Sequence, residues 1–122
     1  MDLYADPFRK FLKCEIEEIR DGFARVKAVV KDSFLNFYGV VHGAFIMALL
    51  DFAFAISANT DARRVAINIS VYFYSPAKLG DVIYAESERI KGKKTGFYKL
   101  RAFKEDELIA EGSAIAKMLE KD

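Results

Sequence analysis

Tryptophan and glutamine are absent from this chain of 122 residues, and cysteine and histidine occur once each, as Cys14 and His42. A lone cysteine excludes an internal disulfide and fits a reducing compartment, so a cytoplasmic protein is expected. One histidine with one cysteine argues against an all-protein zinc site, and no metal or other cofactor is expected. Neither sign of charge is in excess: 19 Lys and Arg face 18 Asp and Glu, a formal net charge of +1. That balance gives no reason to expect nucleic acid or an anionic membrane as a partner. A membrane-spanning run is also missing, because the longest apolar stretch, from Ala44 to Ile56, is too short and carries Asp51 in its middle. The first seven residues hold Asp2 and Asp6 and no apolar core, which is not the pattern of a signal peptide.

What is present is a globular composition, 52% hydrophobic and 30% charged, of a length suited to one domain over residues 1–122. Abundant Lys, Arg and Glu with no Gln lean toward a thermophile's composition. Asp6-Pro7 is a helix-start signal for a short helix over residues 8–13. A strand over residues 14–20 meets the hairpin turn Asp21-Gly22, and Ala24, Val26, Ala28 and Val30 then alternate with charged residues as a half-buried strand. Residues 32–41 read as a loop and Ala44 to about Asn59 as a helix. Four strands follow: one over residues 65–74, with Val65, Ile67, Ile69, Val71 and Phe73 on one face and Ala66, Asn68, Ser70, Tyr72 and Tyr74 on the other, then about 82–91, 97–103 and 108–119. The face Ala110, Gly112, Ala114, Ala116 of the last strand is small, as expected where a sheet closes on a helix backbone. Two strands, one apolar helix and four strands predict an α+β fold, an antiparallel sheet curled around one central helix.

That helix is hydrophobic all round, which predicts burial, and a carboxylate buried there costs several kcal/mol or shifts its pKa. Asp51 therefore needs either a structural partner, for which Arg63 and Arg64 are candidates, or a chemical role. The residues before it favour chemistry: Asn36-x-x-Gly39-x-x-His42-Gly43 delivers an amide, an imidazole and a backbone N–H at the helix start, and Asp51 follows eight residues after Gly43. Each has a plainer reading, Asn36 as a turn residue, His42 as a helix-end residue, Gly39 and Gly43 as backbone glycines, and Tyr72, Phe73 and Tyr74 as sheet or interface residues. Ser57 lacks a second histidine for a triad, which argues against a serine hydrolase.

With Asn36-Phe-Tyr-Gly39-Val-Val-His42-Gly43, Asp51 and the turn Ser75-Pro76-Ala77-Lys78-Leu79-Gly80-Asp81, the chain resembles the hotdog fold and, within it, the PaaI-like acyl-CoA thioesterases, from about Asp21 to Ala116. The resemblance implies hydrolysis of acyl-CoA, including aryl-acyl-CoA, thioesters. It makes Asp51 the base or nucleophile, Gly43 the backbone donor that polarises the carbonyl, and Asn36 and His42 the residues that shape the site. Gly39, Ala66, Lys93 and Lys94 are the candidate substrate contacts, and Lys91, Arg63 and Arg64 are further candidates for the phosphates of coenzyme A. Two positions depart from the family: Ala44 stands where a second Gly is common, and Ala66 cannot orient water as a Ser or Thr near it does in some relatives.

Helix geometry adds an expectation. Eight residues rise roughly 12 Å, so one thioester cannot touch both Gly43 and Asp51 of the same helix. A second, antiparallel copy can bring its Asp51 to the first copy's Gly43, which requires a homodimer with shared sites. The resemblance implies the same, commonly with dimers paired into a homotetramer. Two other functions compete. A non-catalytic acyl-CoA-binding module on the same fold is disfavoured by the retained Asn36, Gly43 and Asp51, and a dehydratase by the position of the only histidine in the loop.

Overall fold

The computed structural model describes residues 2–119. A short helix α1 (Pro7–Leu12) leads into the antiparallel pair β1 (Glu15–Arg20) and β2 (Phe23–Val29). A 3₁₀ turn over Asp32–Phe34 precedes the central helix α2 (Gly43–Ala58). Then come β3 (Arg64–Phe73), β4 (Val82–Lys91), β5 (Thr95–Lys104) and β6 (Glu107–Met118). The six strands form one antiparallel sheet in the order β1-β2-β4-β5-β6-β3. The α+β expectation of a sheet curled around one helix is met, and element ends fall within one or two residues of those read from the sequence.

The sheet wraps α2 and buries most of it. Leu49, Leu50, Ala53, Phe54 and Ile56 are at most 2% exposed and meet Val26, Ile83, Ala85, Leu100, Ala102 and Ile109 of the strands in one core. Each fully buried Leu or Ile contributes roughly 1.5–3 kcal/mol relative to exposure. The helix is nevertheless not buried all round. Ala44, Asp51 and Ala55 are exposed and Met47 and Ala48 half-buried, so one flank of small residues and a carboxylate remains open. The expectation that Asp51 sits inside the core is therefore corrected: it lies on the flank the sheet does not reach.

A β-bulge overturns the face pattern expected for β3. Pairing with β6 slips between Ala66 and Asn68, which inserts Ile67 as an extra residue. Beyond the bulge the sides exchange. Ala66, Ile69, Val71 and Phe73 share the face of Ala116, Ala114, Gly112 and Ala110, while Val65 lies on the opposite face. The small residues of β6 also have a partly different cause from the one expected. A Cβ on Gly112 would lie 1.9 Å from the Ser70 carbonyl oxygen, so Gly112 makes room for the backbone of β3 and not for the helix.

The far end of α2 is closed by charge. Arg64 is 4% exposed, and its guanidinium donates to the Ala58 carbonyl at 2.9 Å, the Lys93 carbonyl at 2.9 Å and Asp61 at 2.5 Å. Arg89 donates to both oxygens of Asp61, at 2.7 and 2.9 Å. Arg64 is thus a structural residue, bound to Asp61 and to a carbonyl at the helix end, and is neither the partner of Asp51 nor available to a phosphate. Hydrogen bonds from Arg64 and then Arg89 hold the Asp61 carboxyl well below the usual carboxylate range. A depressed pKa stabilises the fold above the unfolded-state value, about 3.9, and the gain is lost as pH falls through the lower folded-state value. Asp61→Asn is expected to cost about 1–3 kcal/mol at pH 7 by urea unfolding. It should also flatten the loss of stability expected of the wild type between about pH 4 and pH 2.

Candidate active site

The loop before α2 is closed by its own polar groups. Asn36 accepts at Oδ1 from the N–H of Tyr38 at 2.9 Å and of Val40 at 3.4 Å, and its own N–H donates to the Val40 carbonyl at 2.7 Å. Gly39 has φ +82°, a left-handed conformation that favours glycine, and its N–H returns to the Asn36 carbonyl at 3.0 Å. A bridge between Leu35 and Val41, with the His42 N–H donated to Phe34, ties the loop base. Asn36 and Gly39 therefore shape the turn that delivers the helix start.

His42 is the N-cap of α2. Its Nδ1 accepts from the Ala44 N–H at 3.0 Å, and its carbonyl accepts from the Phe45 N–H at 2.9 Å. That hydrogen bond fixes the imidazole at the helix start. Capping satisfies the second and third N–H groups of the helix, and among the described residues no acceptor takes the first, that of Gly43. This N–H stands at the positive end of the helix dipole. Beside it a groove of about 250 Å³ is lined by Val41, Gly43, Ile46, Phe73, Ser75 and Pro76 among others. Gly43 is not needed for packing: a Cβ there would meet the Phe73 ring at 3.6 Å, an ordinary contact, but it would project toward the groove.

Asp51 stands two turns further along the helix. The residue reaches the surface, yet its carboxyl is partly desolvated, and that burial, followed by the negative charge of Asp6, raises its pKa. No cation pairs with it among the described residues, where the ion pairs found include neither Asp51 nor Arg63. A carboxylate with a raised pKa and no counterion is a stronger base than an ordinary aspartate. No group of three His, Cys, Asp or Glu side chains among the described residues could hold a metal ion.

The structure brings together Asn36, Gly39, His42 and Gly43 and sets Asp51 on the same helix. It does not bring Lys93 or Lys94 to them within one protomer. Both sit exposed in the β4–β5 connection, beside Arg64 at the opposite end of α2. Ala66 is exposed on the helix-facing side of the edge strand β3. Two contributors were missed in the sequence. Phe73 borders the groove at Gly43 only because the bulge fixes its side of the sheet. Asp6 was read as a helix start alone, and nothing in the local pattern links it to Asp51.

Comparison with known proteins places this arrangement. The Thioesterase superfamily model matches residues 38–111, well over half of the chain. The chain belongs to this superfamily. It is 33% identical over 97 residues to the acyl-coenzyme A thioesterase PaaI of Escherichia coli, covering 78% of this chain and 69% of that protein. It is 35% identical over 95 residues to a "Putative esterase" of Archaeoglobus fulgidus, 76% of this chain but only 62% of the relative's length. The solved E. coli PaaI structure superposes with TM-score 0.92 at 27% identity, covering 96% of this chain and 87% of that one. A variant of the phenylacetic acid degradation protein PaaI of Thermus thermophilus gives TM-score 0.91 at 28% identity, covering 93% and 100%. The chain is a PaaI-like member of that superfamily, with the hotdog fold.

The raised pKa of Asp51 carries a sign for stability. A group whose folded-state pKa lies above its unfolded value opposes folding once ionised, with the cost appearing as pH rises through that interval. Asp51→Asn should therefore be as stable as the wild type at pH 3 and at least as stable at pH 7, measured by thermal unfolding. A clear loss at pH 7 alone would restore the structural ion-pair reading.

Proposed function

We propose that the chain, a single hotdog domain over residues 1–122, hydrolyses acyl-CoA thioesters, aryl-acyl-CoA included, to the free acid and coenzyme A in sites shared between two copies. The observation that carries this reading is the free Gly43 N–H at the groove, with the unpaired Asp51 on the same helix. In the reaction Asp51 takes a proton from water as the water oxygen attacks the carbonyl carbon, or attacks that carbon itself. The developing oxyanion is held by the Gly43 N–H, a kind of contact worth about 2.7–4 kcal/mol in other enzymes. The C–S bond then breaks, and the departing coenzyme A thiolate takes up a proton; where Asp51 itself attacked, water then hydrolyses the acyl-Asp51 anhydride, releasing the free acid and restoring the carboxylate. Asn36 and His42 act through the loop, one by closing it and the other by capping the helix so that Gly43 alone is left to donate.

Geometry supports a homodimer. Gly43 and Asp51 are separated by a rise of roughly 12 Å, beyond the reach of one thioester carbonyl. The strand β3 is an unpaired edge of ten residues, with Val65 48%, Ile67 57% and Tyr72 71% exposed. A long apolar edge of this kind pairs or aggregates. The open flank of α2, with Ala44 and Ala48, lets a second backbone come close. Two copies related by a two-fold axis would join β3 to β3 and set each Asp51 toward the partner's Gly43. Pairing of two such dimers into a homotetramer, and a cytoplasmic setting, belong to the same reading. No helix among the described residues is long and apolar enough to cross a membrane. In the dimer Lys93 and Lys94 are the candidates to meet the phosphates of coenzyme A, and Ala66 with Gly39 borders the bound thioester.

The test is thiol release from a panel of short, long and aryl acyl-CoAs. Asp51→Asn should lower kcat/KM by at least about a hundredfold while staying folded and dimeric. Gly43→Ala should fold normally and lose about ten- to a hundredfold, chiefly in kcat, because its Cβ intrudes beside the donor. Saturable binding of acyl-CoA without turnover would favour the non-catalytic binding module, and wild-type turnover in Asp51→Asn would remove Asp51 from the mechanism.

A further inference from the structure

A second groove lies along the open flank of α2, one turn beyond Asp51. Leu3, Ala5 and Asp6 form its outer wall, and Phe52, Ala55 and Ile56 form its floor, with a volume of about 280 Å³. Ala55 follows Asp51 by four residues, so both face the same exposed side of the helix. The outer wall is held in place. Asp2 accepts at Oδ1 from the Tyr4 N–H at 2.9 Å, and its carbonyl accepts from the Ala5 N–H at 3.2 Å. Asp6 caps α1 through the Phe8 N–H at 2.9 Å, ahead of Pro7. Asp6 is also close enough for its charge to act on Asp51, which ties the mouth of this groove to the reacting carboxylate.

We propose that this groove receives the acyl group of the thioester and that Leu3 limits how large that group can be. The inference rests on thioester hydrolysis at Asp51. A thioester whose carbonyl is within reach of Asp51 has its coenzyme A on one side and its acyl group on the other. The apolar floor beside Ala55 is the adjacent surface that can desolvate an acyl group. The volume of about 280 Å³ lies just below the usual range of small-molecule pockets, which suits one ring or a short chain better than a long fatty acyl group. The Asp2 and Asp6 carboxylates at the wall repel a second negative charge. Acyl groups that end in a carboxylate are therefore poor substrates, and the acid product, once ionised, is driven out.

The test compares kcat/KM for acetyl-, hexanoyl-, phenylacetyl- and glutaryl-CoA in the wild type, Leu3→Trp, Leu3→Ala and Asp6→Asn, with folding and oligomeric state followed in parallel. Asparagine is also a good N-cap, so Asp6→Asn keeps α1. Leu3→Trp should lower the hexanoyl-to-acetyl and phenylacetyl-to-acetyl ratios at least about tenfold, as pocket contacts of this size do. Leu3→Ala should move both ratios the other way, and it decides the matter alone if Leu3→Trp does not fold. Asp6→Asn should raise the glutaryl-to-hexanoyl ratio. Unchanged ratios in folded Leu3 variants would overturn the proposal, as would a change in oligomeric state alone, which would make the groove a surface for the partner copy. A wild type inactive on every thioester would instead remove the hydrolase reading on which the proposal stands.

Discussion

Apart from Gly43, Asp51 and Ser57, the sixteen residues of α2 carry apolar side chains around the helix, and a single curled sheet can cover only part of a cylinder. The rest of the molecule follows from that mismatch. Ile46, Leu50, Ala53 and Phe54 take the covered side, and the sheet must bend tightly enough to hold them. Gly112 yields its side chain to the β3 backbone, and the bulge at Ile67 re-aims the edge strand. What the sheet leaves open is not a polar solvent face but alanines and one carboxylate. In the proposed reaction this same strip faces the ligand and the second copy.

The helix ends are treated in opposite ways. At the C-terminal end Arg64 and Arg89 converge on Asp61, and Arg64 also takes the Ala58 carbonyl, so charge closes the helix and fastens it to the β4–β5 connection. At the N-terminal end His42 satisfies two donors and leaves the Gly43 N–H open. A closed end stabilises the fold, whereas an open end keeps a preorganised positive dipole for an incoming oxygen. Asp51 shows the same division. Among the described residues it has no counterion, so its ionised form weakens the fold while being a stronger base than an ordinary aspartate.

Much of this was legible in the sequence, because it depends on local rules. Alternation in β2, the Asp21-Gly22 turn, the length of the apolar run and the loop spacing from Asn36 to Gly43 each constrain a few neighbouring residues. The motif that ends eight residues before Asp51 also picked out the candidate groups at the helix start. The expectations that failed concern which side a residue faces and what lies beside it. A single inserted residue at Ile67 exchanges the faces of a strand, and no composition signal announces it. Arg64 was read as a partner for Asp51 or for phosphate because it is near in sequence, yet the chain turns it into the helix end.

The sequence by itself determined the fold class, the order of elements and the identity of the groups at the helix start, since these follow from periodicity, turn chemistry and spacing. Only the tertiary structure decided that Asp51 lies on the uncovered flank, that the Gly43 donor is the one left free, and that Leu3 and Asp6 of a distant segment wall a groove beside it. The physical reason is that these are outcomes of packing. Which side of a helix stays open depends on how far a sheet can curl around it, and that is a property of all six strands together.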